Sequence, residues 1–238
     1  MASDSRSSAG IDQIARVRKM ALISTPGERV IVILSAGNLA TTQSVVTRLV
    51  EASGSGDLAH DLKAARSLFD VADRVGSTLR EVIAHDGSYV QPYGDPSASF
   101  LVGGQIAGDR PRLFQIYSAG NFVEASDRSC FLQIGETKYG KPILDRVITP
   151  QTPLTEAAKC VMVSFDSTMR SNISVGPPID LAVISRGELR VGLHRRFKEG
   201  DPYMQMVHQE WGEGLKRAFT QLPNLEWVDD GHPRSTAP

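Results

Sequence analysis

The stretch ASDSRSSAGIDQIARVRKM, residues 2–20, decides how the rest of the chain is interpreted. Near its start, Asp4 stands among small residues, a composition typical of a strand end that leads into a polar loop. It ends with Lys19 at the start of an apolar strand, where an unpaired ammonium group would be costly. We therefore expect Lys19 either to pair with an acid or to lose its proton, and Asp4 is the acid that the preceding strand offers.

The overall composition excludes two classes of partner. Hydrophobic residues make up 41% of the 238 residues and charged residues 22%, which is ordinary for a globular protein. With 26 basic and 27 acidic residues, the net charge of −1 creates no field that would attract nucleic acid or an anionic membrane. No apolar run approaches the ~18 residues of a membrane span, and the polar first residues do not form a signal peptide. We expect neither nucleic acid nor membrane as a partner.

The two cysteines bear on where the protein works. Cys130 and Cys160 lie in apolar segments, form no CxxC pair and have no metal-ligand spacing. We interpret them as reduced core thiols, which is typical of a cytoplasmic protein.

Hydrophobic periodicity divides the chain into blocks of antiparallel strands and blocks of paired helices. The first predicted helix is capped by Asn38, Thr41 or Thr42 and ends at the glycines of residues 54 and 56. The other predicted helices cover residues 61–84, 140–147, 155–169 and 203–222, and the predicted strands cover 19–24, 27–34, 98–106, 112–124, 130–134, 180–184 and 188–193.

This order of elements favours a layered α+β fold in one domain, residues 1–238, in which residues 229–238 form a flexible tail. Because the central strands are apolar on both sides, we expect two stacked sheets with helices outside.

Several familiar kinds of site are absent from the sequence. The five histidines have no i,i+3 or i,i+4 pairing that would suit a metal. The glycine run at residues 102–108 lacks the Gly-Lys-Ser/Thr ending of a phosphate loop, so a hairpin or close backbone packing explains it better. The basic cluster at residues 194–198 is interpreted as a strand end or a subunit contact. No cofactor and no metal is therefore predicted.

Gly37 offers a different chemistry. It ends a buried strand just before a helix N-terminus, a geometry that can present a backbone N–H to an oxyanion with help from the helix dipole. Taken singly, each candidate also has a purely structural interpretation. Lys19 can be a strand-start lysine whose head reaches water, Gly37 a helix-start glycine, and Ser174 the cap of a turn.

Taken together, three stretches resemble a known family. ASDSRSSAGIDQIARVRKM, LSAGNLATTQ at residues 34–43 and SNISVGPPIDLAVIS at residues 171–185 are similar, in this order, to the proteasome β-subunit family. They resemble most closely its bacterial proteasome-like branch, Anbu, and the likeness extends over essentially the whole chain. The resemblance implies the four-layer αββα sandwich of N-terminal-nucleophile hydrolases, here without its first strand.

The resemblance also implies a mechanism. In these enzymes the hydroxyl of an N-terminal Thr attacks a carbonyl, and the α-amine of that Thr helps to handle the proton. By position in the motifs, Lys19 would stabilise the deprotonated hydroxyl, and Asp4 would fix and neutralise Lys19. Gly37 would donate its N–H to the oxyanion, and Ser174 would support the amine of the nucleophile.

Two positions depart from the pattern of the family. Ser171 stands where the family has an Asp, and Glu136 stands where it has a Ser, so a carboxylate–hydroxyl pair would persist with its members exchanged. Val175 replaces a Gly of the late motif. If the exchanged pair exists, Glu136→Ala and Ser171→Ala should show non-additive losses.

The nucleophile implied by the resemblance lies at the head of the strand that ends near Asp4, and it is not among the residues of this sequence. We therefore expect a polypeptide that begins at Met1 to be an N-terminally truncated form without amide hydrolysis. The first hypothesis is a threonine-type peptidase or amide hydrolase subunit that self-assembles into a ring or an open helical ring. The alternative is a catalytically inactive assembly or scaffold subunit. A non-proteasomal amidase of the same fold stays open.

Overall fold

The computed structural model describes residues 1–8 and 14–225, which form ten strands and five helices. The strands are β1 (Ala2–Ser3), β2 (Arg6–Ser8), β3 (Ile14–Arg16), β4 (Met20–Thr25), β5 (Arg29–Gly37), β6 (Ala98–Ile106), β7 (Arg112–Ile116), β8 (Phe122–Glu124), β9 (Ile179–Val183) and β10 (Leu193–Phe197). The helices are α1 (Leu39–Glu51), α2 (Leu68–Val90), α3 (Lys141–Val147), α4 (Leu154–Ser171) and α5 (Pro202–Thr220). The predicted flexible tail lies outside the described residues.

The larger sheet is antiparallel, with strand order β4-β5-β6-β7-β8. The strands predicted at residues 19–24 and 27–34 are present as β4 and β5, which pair as a hairpin from Met20 opposite Leu34 to Thr25 opposite Arg29. The second strand, β5, is buried on both faces along residues 30–34, which are all apolar. One face packs against α1 and α2, where Ile31 and Ile33 meet Val45 and other side chains of the main core cluster.

The smaller sheet has the order β1-β9-β10, and β2 and β3 form a separate two-stranded ribbon. Ile179, Leu181 and Phe197 pack on one side of this sheet against Met162 of α4. Ala182, which alternates with them along β9, joins Val32 and Leu34 of the larger sheet in a separate cluster. The chain is thus a mixed α/β protein with two main antiparallel sheets, each carrying helices.

Four of the predicted elements differ from the structure in extent or in kind. α2 begins at Leu68 rather than at residue 61, because the Asp61 carboxylate accepts N–H bonds from Gly54, Gly56 and Lys63 in a loop. The Ser67 side chain then caps the helix by accepting the N–H of Asp70.

The other three errors concern strands. Residues 112–124 form two strands, since a turn around Gly120 interrupts the pairing. Residues 130–134 form no strand within the described chain, and the last strand is Leu193–Phe197 rather than 188–193.

The basic cluster at the end of β10 is engaged inside the chain. Arg196 donates to the buried Asp180 carboxylate at 2.6 Å, and Arg195 lies 4.4 Å from the centre of the Phe197 ring while pairing with Asp201. The two arginines of this cluster are therefore held by neighbouring residues of the same chain.

None of the helices in the described residues combines the length and the apolar character that crossing a membrane requires.

Candidate functional site

Lys19 and Asp4 form the ion pair that the sequence predicts. Lys19 Nζ lies 2.7 Å from Asp4 Oδ1, and the two side chains are 22% and 10% exposed. The pairing follows from the fold, because Lys19 directly precedes β4 and Asp4 directly follows β1. A strand end in each sheet thus supplies one member of the pair.

Asp4 also fixes the loop that follows α4. Its Oδ2 accepts the backbone N–H of Arg6 at 3.0 Å and that of Gly176 at 3.3 Å. The carbonyl of Gly176 in turn accepts the N–H of Ser5, and the Arg6 guanidinium donates to the carbonyl of Ile173 at 2.9 Å. A carboxylate with this many donors is held in one orientation, with one oxygen turned to Lys19.

Gly37 is placed by the alternation of the larger sheet. Ser35 N donates to Lys19 O at 3.1 Å on the β4 side, whereas Asn38 N donates to Ser97 O at 2.9 Å on the β6 side. N–H groups two residues apart in a strand point the same way, so the Gly37 N–H points to the β4 side of β5, like that of Ser35. At this position β4 has not yet begun, so no strand residue lies opposite Gly37 on that side. The Gly37 N–H therefore faces the same edge as Lys19.

The backbone at Gly37 requires glycine. Its φ is +107°, and a Cβ there would lie 2.5 Å from Ser97 O and 2.9 Å from Ala98 Cα. Asn38 then caps α1 by accepting the N–H of Thr41 at 3.2 Å. The first turn of α1 thus begins two residues after Gly37, so the dipole of this helix acts on the same region.

Glu136 and Ser174 are joined through Asn172. The Asn172 side chain donates to Glu136 Oε2 at 2.7 Å, and its Oδ1 accepts the Ser174 hydroxyl at 2.6 Å and the Ser174 N–H at 2.9 Å. The N–H of Lys138 and the amide of Asn172 lower the pKa of Glu136 below its ordinary value. Glu136 is therefore an ionised acceptor at neutral pH.

Ser171 lies apart from this chain of hydrogen bonds. It is the exposed last residue of α4, and among the described residues it is not a hydrogen-bond partner of Glu136. The Glu136 carboxylate instead accepts a hydrogen bond from the Asn172 side chain. The pair that we expect from an exchange of Glu136 and Ser171 is replaced by a three-membered connection to Ser174.

A cavity of about 660 Å³ brings most of the candidates together. Asp4, Lys19, Gly37, Glu136 and Ser174 all line it, and Ser171 is not among its lining residues in the described chain. The rest of its wall includes apolar residues of α1, α4 and the segment 130–135, namely Val46, Val161, Phe165, Phe131, Leu132 and Ile134. The cavity thus combines a charged end with apolar walls, as ligand sites commonly do.

Three residues of this site are not predicted from the sequence. Asn172 and Gly176 stand inside a stretch quoted for its resemblance, yet neither is singled out there, and Arg6 is treated only as part of ASDSR. A spacing of two residues between Asn172 and Ser174 is typical of an Asx turn, and it is the one local signal that could have identified Asn172.

In residues 1–8 and 14–225, no three His, Cys, Asp or Glu side chains gather into a set that could hold a metal ion.

Comparison with known proteins places this geometry in a family. No family model and no curated protein matches the chain. Among solved structures, Anbu (ancestral beta-subunit) from Yersinia bercovieri is 45% identical with a TM-score of 0.89, over 95% of this chain and 94% of that chain. Anbu from Hyphomicrobium sp. strain MC1 is 44% identical with a TM-score of 0.85, over 95% and 94% of the two chains.

A third structure, the helical assembly of the Anbu complex from Pseudomonas aeruginosa, is 46% identical with a TM-score of 0.89. It is matched over 94% of this chain and 92% of that chain. Identity of this level along nearly the full length of each chain goes beyond a shared fold. The chain belongs to the proteasome-like Anbu family.

Proposed function

We propose that the chain is a single-domain subunit of a bacterial proteasome-type hydrolase that cleaves peptide or other amide bonds. One observation carries this proposal. The Lys19–Asp4 pair, at 2.7 Å, lies on the wall of a cavity that Gly37 also lines. A fixed ammonium group and a backbone N–H at one edge suit a reaction that develops negative charge on two oxygens.

In this mechanism Lys19 stabilises the deprotonated hydroxyl of a threonine nucleophile, and Asp4 holds the ammonium in place. The Gly37 N–H receives the oxyanion of the tetrahedral intermediate. The Ser174 hydroxyl donates a hydrogen bond to Asn172 Oδ1. The lone pairs of Ser174 Oγ therefore stay free to accept a hydrogen bond from the amine of the nucleophile. Glu136 acts as a positioning residue that orients the Asn172 amide.

The nucleophile is the threonine that the resemblance implies, at the head of the strand that ends near Asp4. Reading the coding DNA upstream of Met1 tests this part of the proposal directly. An in-frame segment that begins Met-Thr and ends in a hydrophobic strand supports the hydrolase. A stop codon directly before Met1 contradicts it.

Activity provides the second test. A form that carries such a segment should hydrolyse fluorogenic peptides, and Lys19→Ala should reduce kcat by at least about 100-fold. Lys141→Ala is the matched control, because Lys141 also forms a 2.7 Å ion pair but lies on the exposed side of α3. Peptide turnover that is unchanged in Lys19→Ala would contradict the proposal.

A scaffold subunit without catalysis is the second candidate. It is favoured by the position of Ser171, since this residue stands where the family has an Asp but is exposed at the end of α4 and does not line the cavity. A scaffold would keep its assembly while Lys19→Ala changed no activity.

We also propose the finer features that accompany this function. Separate core clusters between the sheets and beneath the helices support a four-layer αββα arrangement. The unpaired Cys130 and Cys160 support a cytoplasmic location. A relative that is 46% identical forms a helical assembly, which supports self-assembly of this chain into a ring or open helical ring.

A further inference from the structure

Arg18 is a charged residue of the cavity wall that the proposed mechanism does not use. It lines the cavity and is exposed, so it lies where the cavity opens to solvent. Within the described residues, its side chain forms neither an ion pair nor a hydrogen bond. A guanidinium group has five N–H donors and no acceptor, so Arg18 can bind an acceptor that a ligand brings.

The other two cations of the wall are engaged by the protein itself. Lys19 pairs with the Asp4 carboxylate at 2.7 Å. The Arg6 guanidinium donates to the carbonyl of Ile173 at 2.9 Å. In the part of the chain that the structure describes, Arg18 is therefore the wall cation whose donors are all free.

The charges of the wall do not cancel. Its charged side chains in the described chain are three basic and two acidic, namely Asp4, Arg6, Arg18, Lys19 and Glu136. The two acids already accept hydrogen bonds from the protein. Asp4 accepts from Lys19 and from two backbone N–H groups. Glu136 accepts from the Asn172 amide and from the N–H of Lys138. With one positive charge in excess, the wall attracts an anionic group more strongly than a cationic one.

Arg18 also lies close to the place where the proposed reaction occurs. It directly precedes Lys19 in the chain, and consecutive Cα atoms are about 3.8 Å apart. An extended peptide advances about 3.3 Å per residue. The parts of a bound peptide that Arg18 meets are therefore those within a few residues of the scissile bond.

The remainder of the wall strengthens an ion pair at this position. Most of the lining residues are apolar, among them Leu39 and Val46 of α1 and Phe165 of α4. A peptide that fills the cavity with apolar groups excludes water from the wall, and a charge pair at its edge becomes stronger as the surroundings become less polar. A carboxylate suits this partner best, because guanidinium and carboxylate groups form two parallel hydrogen bonds.

We propose that Arg18 selects peptides that carry a carboxylate near the scissile bond, from an acidic side chain or from the C-terminus, next to apolar residues. The inference rests on the proposed hydrolase and specifies the class of its substrate. Arg18 acts here as a specificity-determining residue that binds the peptide and takes no part in bond cleavage.

Binding of short peptides to the chain tests this preference without requiring hydrolysis. Ac-Leu-Glu-Leu-NH2 and Ac-Leu-Gln-Leu-NH2 differ in one side-chain carboxylate, and Ac-Leu-Leu-Leu-OH and Ac-Leu-Leu-Leu-NH2 differ at the C-terminus. In at least one of these pairs, the anionic peptide should bind at least about fivefold more tightly than its neutral counterpart at low salt. The pair that shows the difference identifies the source of the carboxylate, and the difference should shrink at high salt.

Two substitutions at Arg18 assign the preference to this residue. Arg18→Gln should abolish it, and Arg18→Lys should retain part of it, since Lys keeps the charge but not the bidentate geometry. Arg186→Gln is the matched control, because Arg186 is also exposed and forms no ion pair in the described chain, but does not line the cavity. Equal thermal unfolding of the variants shows that the fold is intact.

Three results contradict the inference: no binding of any peptide, equal affinities within both pairs, or a preference that persists in Arg18→Gln. Turnover separates this inference from the proposed function. In a form that carries the upstream threonine, fluorogenic versions of the bound peptides should be hydrolysed with the same preference in kcat/KM. No turnover of any of them contradicts the proposed hydrolase, whereas equal kcat/KM for anionic and neutral peptides contradicts the role of Arg18 alone.

Discussion

Asn172 Nδ2 donates to Glu136 Oε2 at 2.7 Å, and this bond joins the loop before α3 to the loop after α4. The two residues are 36 positions apart in the chain. Because the same Asn172 accepts from Ser174, rotation of one amide would disturb both neighbours. Substitutions at Asn172 should therefore change the pKa of Glu136.

The ionisation of Glu136 gives a direct readout of this bond. In Asn172→Ala the pKa of Glu136 should rise part of the way to its ordinary value, because the Lys138 N–H still donates to the carboxylate. In Asn172→Asp it should rise further, since a second negative charge faces the first. A carboxyl-carbon NMR titration of Glu136 measures both. An unchanged titration in Asn172→Asp would show that the amide does not hold Glu136.

Replacing Lys19 should destabilise the fold more than replacing an exposed lysine. In Lys19→Met the buried Asp4 carboxylate keeps its backbone donors and loses the ammonium group, which should cost about 2 kcal/mol. Lys141→Met breaks the exposed i,i+4 pair with Asp145 and should cost roughly 0.5 kcal/mol. Urea unfolding of the two variants measures the difference. Equal losses would mean that the Lys19–Asp4 pair behaves as a surface pair.

Two glycine substitutions separate close packing from backbone conformation. Gly37→Ala and Gly27→Ala both place a Cβ on a residue of positive φ, +107° and +78°. At Gly27 the added Cβ meets nothing within 4 Å, so strain of about 1 kcal/mol is expected. At Gly37 it meets Ser97 O at 2.5 Å, and the loss should exceed that of Gly27→Ala by at least about 2 kcal/mol. Thermal unfolding that ranks the two variants equally would argue against the close contact between β5 and residue 97.

His60 should make stability depend on pH. It bonds Asp57 at 2.8 Å and Glu81 at 2.9 Å, and these two hydrogen bonds raise the pKa of His60 above its ordinary value of 6.5. Because the folded state holds this proton more tightly, the stabilisation is complete below pH 6.5 and is lost as the pH rises through the raised pKa. The stability gap between wild type and His60→Ala should therefore narrow as the pH rises, in urea unfolding at a series of pH values.

Glu81→Gln is the control for this effect. It leaves Asp57 in place as a partner of His60. In the Glu81→Gln background, the stability difference between His60 and His60→Ala should therefore still change with pH, but by less than in the wild type. Arg48, which lies 4.0 Å from Glu81, loses its partner in the same variant, so the comparison is made on the change with pH rather than on absolute stability. A gap that is constant from pH 5 to pH 8 would contradict the prediction.

Local sequence is enough to predict the contact between Lys19 and Asp4 and the position of Gly37. Lys19 stands at a strand start and Asp4 at a strand end, and a charge at the border of an apolar strand needs a counter-charge nearby. Gly37 follows from the break between a β-branched strand and a capped helix. These signals act within a few residues, so they can be read without tertiary structure.

The remainder depends on how distant loops meet. Ser171 and Ser174 differ by three positions, yet one ends exposed on α4 while the other turns into the cavity. That choice depends on where the helix stops, and helix ends are set by caps and tertiary contacts. The start of α2 was missed for a similar reason, because Leu62 and Ala65 keep the apolar pattern of a helix while the loop held by Asp61 buries them.

The bond from Gly176 N to Asp4 Oδ2 spans 172 positions of the chain. A ribosome that adds 5–20 residues per second makes these two residues roughly 10 to 30 s apart. Until the second of them emerges, Asp4 lacks the donor that closes its side of the pocket. A nascent chain thus carries its ion-pair residues early but completes their surroundings only after most of the protein has been synthesised, which delays any reactive pocket until translation is nearly finished.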